Sequence, residues 1–285
     1  MSEQIIVFLQ YLLPKQALTV FAGWVAARRG GAITTGIIRW FIGRYRVNMA
    51  EAAETEMGRY ATFNDFFTRA LKPDARPLAQ ARWICPVDGA ISQFGRVQSD
   101  QIFQAKGHNY STRALLACDT RDAEPFLDGY FACLYLSPRD YHRIHMPCAG
   151  SLTSMTYVPG DLFSVNPATA RGIPGLFARN ERVVCQFENA QGPFAMVLVG
   201  ATIVGSMETI WHGRVNPPRL PKVTVWRYPA GEVVLAQGAE MGRFLLGSTV
   251  VMLFPASPQT PVAFNPAWQA GRQIRLGEIM ADTPR

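Results

Sequence analysis

The amino-acid sequence predicts an α+β fold, with helices confined to the N-terminal part and a β-rich core of sandwich or barrel type after them. Two observations carry this prediction. Apolar stretches with helical spacing fill the first 45 residues, whereas short β-branched and aromatic runs separated by Gly and Pro begin near residue 83. With 285 residues, 48% of them hydrophobic, the chain has ample material for a packed core.

The helical stretches come first along the chain. Three helices are predicted near residues 3–12, 16–29 and 34–45, and a fourth over 63–71. Lys72-Pro73 should end the fourth helix, because a proline disfavours helical geometry in the residue before it. We expect a helical membrane-associating region over residues 1–60.

The β-rich core is expected over residues 61–285. Its predicted strands cover residues 131–136, 152–158, 183–187, 194–204, 223–226 and 250–254. The five cysteines, an odd number, are scattered without a C-x-x-C pair, which indicates reduced thiols in a cytosolic compartment.

Positive charge is concentrated at the N-terminus. The net charge is +7, and residues 1–46 contain six Lys or Arg against one Glu, so +5 of it lies there. This asymmetry indicates an anionic partner, and the apolar runs between the arginines favour lipid over nucleic acid. No run reaches the roughly 18 apolar residues that span a bilayer, so we expect helices lying in the membrane interface. The alternative is an ordinary buried helical hairpin.

Leu246-Gly247-Ser248-Thr249 is a candidate self-cleavage site. Attack of the Ser248 hydroxyl on the Gly247 carbonyl would convert the peptide bond to an ester. Elimination would then leave a dehydroalanine, which hydrolyses to a pyruvoyl group. The alternative is a turn before the strand 250–254, in which the serine bonds only its own backbone.

A self-cleaving serine needs a base, and a histidine oriented by a carboxylate is a common solution. His142 and His145 lie in an apolar segment, and Asp88 is a suitable carboxylate. Zinc binding by His142, His145 and Cys148 is an alternative, although in an extended segment residues three apart point to opposite faces. No Gly-x-Ser-x-Gly elbow is present, which argues against an ordinary serine hydrolase.

Long blocks of the sequence together resemble the membrane-associated phosphatidylserine decarboxylases of bacteria, over nearly the whole chain. The blocks are FNDFF (63–67), KPDARP (72–77), PVDG (86–89), KGHNYS (106–111), LSPRDYHRIHMP (136–147), YVPGDLFSVN (157–166), LFARNER (176–182), VGATIVGS (199–206) and LGST (246–249).

The resemblance implies a self-processing triad in which Asp88 orients His145 and His145 deprotonates Ser248. Cleavage between Gly247 and Ser248 would give a large β chain (1–247) and a small α chain (248–285). The pyruvoyl group derived from Ser248 is the implied cofactor, with no metal. It would condense with the amine of phosphatidylserine, and phosphatidylethanolamine and carbon dioxide would be the products. We interpret His142 as the proton donor in decarboxylation.

The resemblance also implies partners and a location. The two product chains would remain together without a disulfide and would assemble further into a homodimer. The enzyme would associate peripherally with the cytoplasmic face of the cell membrane, whose anionic lipids include its substrate.

Overall fold

N-terminal helices pack against a strand-rich core in the computed structural model, which describes residues 3–118, 120–203, 206–216, 219–246, 248–256 and 261–282. The helices are α1 (Glu3–Leu12), α2 (Lys15–Ala26), α3 (Ala32–Tyr45), α4 (Phe63–Phe67), α5 (Thr112–Leu116), α6 (Thr120–Ala123), α7 (Pro167–Gly172) and α8 (Leu176–Arg179). Short 3₁₀ helices cover Met57–Arg59, Pro73–Ala75 and Glu124–Phe126.

The strands of the first half are β1 (Trp83–Ile84), β2 (Gly89–Arg96), β3 (Gln101–Ala105), β4 (His108–Ser111), β5 (Tyr130–Leu136), β6 (Arg143–His145) and β7 (Gly150–Val158). Those of the second half are β8 (Arg182–Asn189), β9 (Gly192–Val199), β10 (Met207–Thr209), β11 (Gly213–Asn216), β12 (Thr224–Arg227), β13 (Val234–Leu235), β14 (Glu240–Phe244), β15 (Ser248–Phe254), β16 (Ala263–Phe264), β17 (Gln273–Ile274) and β18 (Ile279–Asp282). The predicted α+β class is confirmed.

The largest sheet has the antiparallel order β12-β7-β8-β9-β15-β5-β2-β17, with β13 also paired to β7. Smaller sheets have the orders β11-β10-β14-β6, β1-β18-β16 and β3-β4. One face of the largest sheet packs in the same apolar cluster as Phe66 of α4 and Phe177 of α8. The other face packs with Ile144 and Met241 from the sheet that contains β14.

Strand β15 lies at the centre of this arrangement. Val251 and Leu253 belong to the apolar cluster on the helical side, whereas Val250, Met252 and Phe254 belong to the cluster on the other side. All five side chains are buried. Because β15 also pairs with β5 on one edge and β9 on the other, its first residue is held by a rigid element.

The N-terminal helices contact the core on one side and expose large apolar side chains on another. In α1, Gln10 Oε1 accepts a hydrogen bond from the Ser164 amide at 2.9 Å. In α2, Thr19 Oγ1 accepts one from the Ile203 amide at 3.0 Å. The exposed side chains include Phe8, Phe21, Trp24, Ile33 and Trp40. Among the residues that the structure describes, no helix is long and apolar enough to cross a bilayer.

Two predicted elements are shorter than expected. The helix predicted over 63–71 ends at Phe67, and the Thr68 hydroxyl donates to the Asn64 carbonyl at its end. The strand predicted over 194–204 ends at Val199, because the Gly200 carbonyl accepts a hydrogen bond from the Asn180 side chain instead of continuing a ladder. Val204, the last residue of that predicted strand, lies outside the described residues.

Candidate active site

The first residue of β15, Ser248, is opposite Leu136, the last residue of β5. The next residue, Thr249, pairs with Tyr135 of β5 and with Val199 of β9. Gly247, the other residue of the predicted cleavage site, lies outside the described residues. The strand predicted over 250–254 is confirmed and extends back to Ser248.

Backbone strain occurs directly before this position. Leu246 has φ of 115°, in the region that side-chain-bearing residues rarely adopt. Such a conformation costs about 1–3 kcal/mol and persists only where the surrounding structure enforces it. Here the enforcing contacts include the hydrogen bond from the Leu245 amide to the Ser206 carbonyl and the burial of Leu246. The chain therefore enters the candidate cleavage position in a strained conformation.

Asp88 lies just before β2 and is almost completely buried. Its carboxylate accepts hydrogen bonds from Arg76 Nε at 2.9 Å and from Arg76 Nη2 at 2.5 Å. The Leu276 amide donates a further bond at 2.9 Å. Arg76 Nη2 also contacts Glu51 at 2.7 Å, so Asp88 belongs to a buried network of charged groups.

Position 89, directly after Asp88, has no room for a side chain. A Cβ atom at Gly89 would lie 2.3 Å from the Tyr135 carbonyl oxygen, which is far inside van der Waals contact. The absence of a side chain lets β2 approach β5, where Ala90 pairs with Tyr135. Tyr135 is also the partner of Thr249, so the backbones at Asp88 and Ser248 lie on either side of the same end of β5.

His145 is at the end of β6 and pairs with Glu240 of β14. Its Nδ1 lies 2.8 Å from the Gly238 carbonyl oxygen, and its Nε2 lies 3.1 Å from the Tyr141 hydroxyl. A carbonyl only accepts, so Nδ1 carries the hydrogen and Nε2 is the basic nitrogen that accepts from Tyr141. Burial lowers the pKa of His145, which keeps the ring neutral.

His142 is fully buried and packs against Phe67 of α4, with ring centroids 4.0 Å apart. Its Nδ1 donates to the Asp140 carbonyl at 2.8 Å. Burial lowers the pKa of His142 to about 3, so this ring is also neutral. Its Nε2 has no hydrogen-bond partner among the described residues and is therefore an open acceptor.

Of the predicted triad, Asp88 and His145 are near enough to interact electrostatically, but their hydrogen bonds go to other groups. Asp88 accepts hydrogen bonds from Arg76 and Leu276, whereas His145 contacts Gly238 through Nδ1 and Tyr141 through Nε2. The charge of Asp88 nevertheless reaches His145, where it opposes the larger effect of burial on the pKa. Asp88 thus acts on His145 through space in this arrangement.

The zinc alternative has no support in the donor geometry. His142 packs on Phe67, whereas His145 bonds Gly238 and Tyr141. The Cys148 Sγ accepts a hydrogen bond from Asn189 Nδ2 at 3.3 Å. Within the described ranges, no three His, Cys, Asp or Glu side chains are grouped to hold a metal ion.

A cavity of about 190 Å³ lies beside the candidate cleavage position. Leu246 and Phe67 line it together with Tyr135 and the α3 residues Phe41 and Tyr45. The cavity thus joins the segment before Ser248, the ring that packs on His142, and the helix that carries exposed Trp40. Its walls are mostly apolar, with Ser164, Asn166 and Thr202 as polar groups.

Sequence reasoning missed Arg76, Tyr141 and Phe67. All three lie inside the sequence blocks on which the family resemblance is based. The sequence does not show which residues they contact. Arg76 contacts a carboxylate twelve residues away, and Phe67 reaches His142 across the fold. Only Tyr141, four residues from its partner His145, is close to it in sequence.

The chain is similar to known proteins over nearly its whole length. A family model described as phosphatidylserine decarboxylase matches residues 63–282, and a second, described as PSD, matches residues 5–46. A relative from Polaromonas naphthalenivorans is 68% identical over 99% of this chain and 98% of its own length. One from Methylibium petroleiphilum is 67% identical over 100% of this chain and 99% of its own. Both are named phosphatidylserine decarboxylase proenzyme.

Proposed function

This chain belongs to the phosphatidylserine decarboxylase family, and from that premise we propose that Ser248 is both the nucleophile of self-cleavage and the precursor of a pyruvoyl group. The family function is the decarboxylation of phosphatidylserine, and the proenzyme names of the relatives describe a precursor that is processed. The observation that carries the proposal is the position of Ser248. It begins the buried strand β15 on one side of the end of β5, with Asp88 on the other side, and lies two residues after the strained Leu246.

Self-cleavage begins when the Ser248 hydroxyl oxygen adds to the Gly247 carbonyl carbon. The proton of the hydroxyl passes to Nε2 of His145, and it then goes to the nitrogen of Ser248 as the peptide C–N bond breaks. A base then removes the α-proton of residue 248 as the ester bond between Cβ and oxygen breaks, which leaves a carboxylate on Gly247 and a dehydroalanine at position 248. Uptake of water and release of ammonia complete the pyruvoyl terminus.

Asp88 and Tyr141 have different roles in this step. The negative charge of Asp88 stabilises His145 when it carries the extra proton, and Arg76 fixes the carboxylate in place. Tyr141 holds Nε2 in the resting chain and must release it before the Ser248 proton arrives. The bond between Nδ1 and the Gly238 carbonyl keeps the ring in the tautomer that exposes Nε2 as a base.

The surroundings of position 248 fit a small keto group. Two buried polar atoms, Thr249 Oγ1 in the next residue and His142 Nε2, have no partner among the described residues. Strand pairing with β5 and β9 would hold the terminus, and Thr249 and His142 would face the polar groups of the bound substrate. When present, a pyruvoyl group supplies an electron sink for the pair left behind by the departing carbon dioxide.

His142 carries the proton in decarboxylation. With Nδ1 bonded to Asp140, Nε2 is the nitrogen open to the substrate, and it would take a proton from the ammonium group once the negative charges of bound phosphatidylserine offset the effect of burial on its pKa. The same nitrogen can return that proton to the α-carbon after carbon dioxide has left. Its burial excludes bulk water from the transfer.

The substrate cavity and the N-terminal helices suit a lipid. Phe41 and Tyr45 of α3 line the cavity, and aromatic side chains on α2 and α3 remain exposed. Basic residues next to such side chains favour the surface of an anionic bilayer. Peripheral binding to the cytoplasmic face of the cell membrane therefore belongs to the proposal, as does the homodimer implied by the family resemblance.

A pair of serine variants tests the proposal. Ser248→Ala should remain one chain on a denaturing gel and release no carbon dioxide from phosphatidylserine. Ser151→Ala changes a serine on β7, which does not pair with β15, and should cleave and react like the wild type. Cleavage or decarboxylation by Ser248→Ala would overturn the assignment.

A further inference from the structure

A second cavity, of about 330 Å³, is lined mainly by charged side chains. Its cations are Arg46, Arg69, Arg76, Arg139 and Arg275, and its carboxylates are Glu51, Asp88 and Asp140. Five positive charges against three negative ones leave a net +2 on the lining. Neither Leu246 nor Phe67 lines this cavity, so it is separate from the cavity proposed for the substrate.

The three carboxylates are already engaged by other groups. Glu51 contacts Arg76 at 2.7 Å and Arg275 at 3.3 Å, and Asp88 is held by Arg76. Asp140 accepts hydrogen bonds of 2.7 Å from both the amide and the hydroxyl of Ser137. Asp140 also lies 3.7 Å from Arg139 Nε, so each carboxylate of the lining is engaged by a group other than Arg69.

Arg69 makes no ion-pair contact among the described residues, and the charges of Asp88 and Asp140 act on it only from a distance. It is only 4% exposed, and its Nε has no hydrogen-bond partner among the described residues. Its polar contact is a long one, from Nη2 to the Arg139 carbonyl at 3.3 Å, and its guanidinium lies 5.5 Å from the Phe66 ring. An arginine stays charged when buried, and a buried charge without a partner is strongly unfavourable. An anion in the cavity would supply the missing partner.

We propose that this cavity binds a phosphate-group anion, with Arg69 as its buried contact and Arg139 at its exposed side. A phosphate group carries a charge between about −1.5 and −2 at neutral pH, which matches the net lining charge better than a single carboxylate does. Arginine also matches phosphate oxygens with paired N–H donors. This inference goes beyond decarboxylation, although Asp88, Arg76 and Tyr141 of the lining also belong to the site proposed for self-cleavage.

Calorimetric titration of the full-length protein with inorganic phosphate, at constant ionic strength and against chloride, tests the site. The wild type should bind one phosphate per chain, and Arg69→Gln should weaken binding at least tenfold. Arg59→Gln is the matched control, because Arg59 is exposed and paired with Glu54 and Glu56 outside the cavity. If Arg69→Gln does not fold, Arg139→Gln, on the exposed rim, should show the same direction of change.

Vesicles distinguish a lipid headgroup from free phosphate. Phosphatidylcholine vesicles with and without phosphatidic acid are compared, again with Arg69→Gln and Arg59→Gln. If Arg69→Gln weakens binding to the phosphatidic acid vesicles tenfold but does not weaken binding of inorganic phosphate, and Arg59→Gln changes neither, the ligand is a lipid headgroup. If Arg69→Gln also weakens the binding of inorganic phosphate, the free anion is sufficient as the ligand. Equal binding by both variants in both arms, or absence of saturable binding by the wild type, overturns the proposal. Self-cleavage of the same samples reports separately on the function at Ser248.

Discussion

Replacing Gly89 by alanine tests how closely self-cleavage depends on the packing of β2 against β5. The new Cβ would lie 2.3 Å from the Tyr135 carbonyl oxygen, and ordinary contact begins at 3.4 Å. The backbones of Gly89 and Tyr135 must therefore separate by about 1.1 Å. Tyr135 also pairs with Thr249, so this movement shifts Asp88 relative to Ser248. A misplacement of about 1 Å can cost about 10²-fold in rate.

We expect Gly89→Ala to self-cleave about 10²-fold more slowly than the wild type. A time course of chain separation on denaturing gels after cell-free synthesis measures the rate, and circular dichroism verifies folding. Gly36→Ala is the control, because a Cβ at Gly36 in α3 meets no atom within 4 Å. A folded Gly89→Ala protein that cleaves as fast as Gly36→Ala would refute the reasoning.

Three further predictions concern the histidines and the helical surface. His142→Gln should self-cleave normally but lose about 10²–10⁴-fold in carbon dioxide release, whereas His145→Gln should remain one chain on a gel. Burial lowers the pKa of His142 to about 3, so between pH 6.5 and that value the unfolded chain binds a proton that the folded chain does not. Stability should therefore fall on acidification by about 1.4 kcal/mol per pH unit from this group, and denaturant unfolding of His142→Gln should lack that contribution. Trp24→Ser combined with Trp40→Ser should weaken sedimentation with anionic vesicles without slowing self-cleavage, because both side chains are exposed.

Each of these expectations has a contrary outcome. Full decarboxylation by His142→Gln would remove that residue from the proton transfer. A wild type and a His142→Gln variant with the same pH dependence of unfolding would show that His142 titrates normally. Unchanged vesicle binding by the double tryptophan variant would place the membrane contact elsewhere.

The local sequence pattern was sufficient to predict the helices and strands whose conformation depends mainly on their own residues. The helices α1 to α3 and the strand ending at Phe254 were predicted, because their apolar periodicity and β-branched content do not depend on distant contacts. The helix predicted over 63–71 was too long: it ends at Phe67, where the Thr68 hydroxyl donates to the Asn64 carbonyl, and Arg69 beyond it is buried. The hydroxyl contact is local, whereas the burial of Arg69 depends on the surrounding fold.

In the candidate site, too, local features could be predicted from the sequence and contacts between distant segments could not. Asp88, His142, His145 and Ser248 could be named from the sequence, but the partners that set their chemistry could not. The clamp of Arg76 on Asp88 and the open Nε2 of His142 arise from the way distant segments pack together. The proposed roles of the four residues remain predictions, whereas the membership of the family is established.

Intact mass of the purified protein tests the central claim most directly. We predict two chains, residues 1–247 and 248–285, with the smaller chain lighter than a serine-terminated chain by the mass of one ammonia. A single uncut chain that is fully active in decarboxylation, or a small chain that begins with an unmodified serine, would contradict the account.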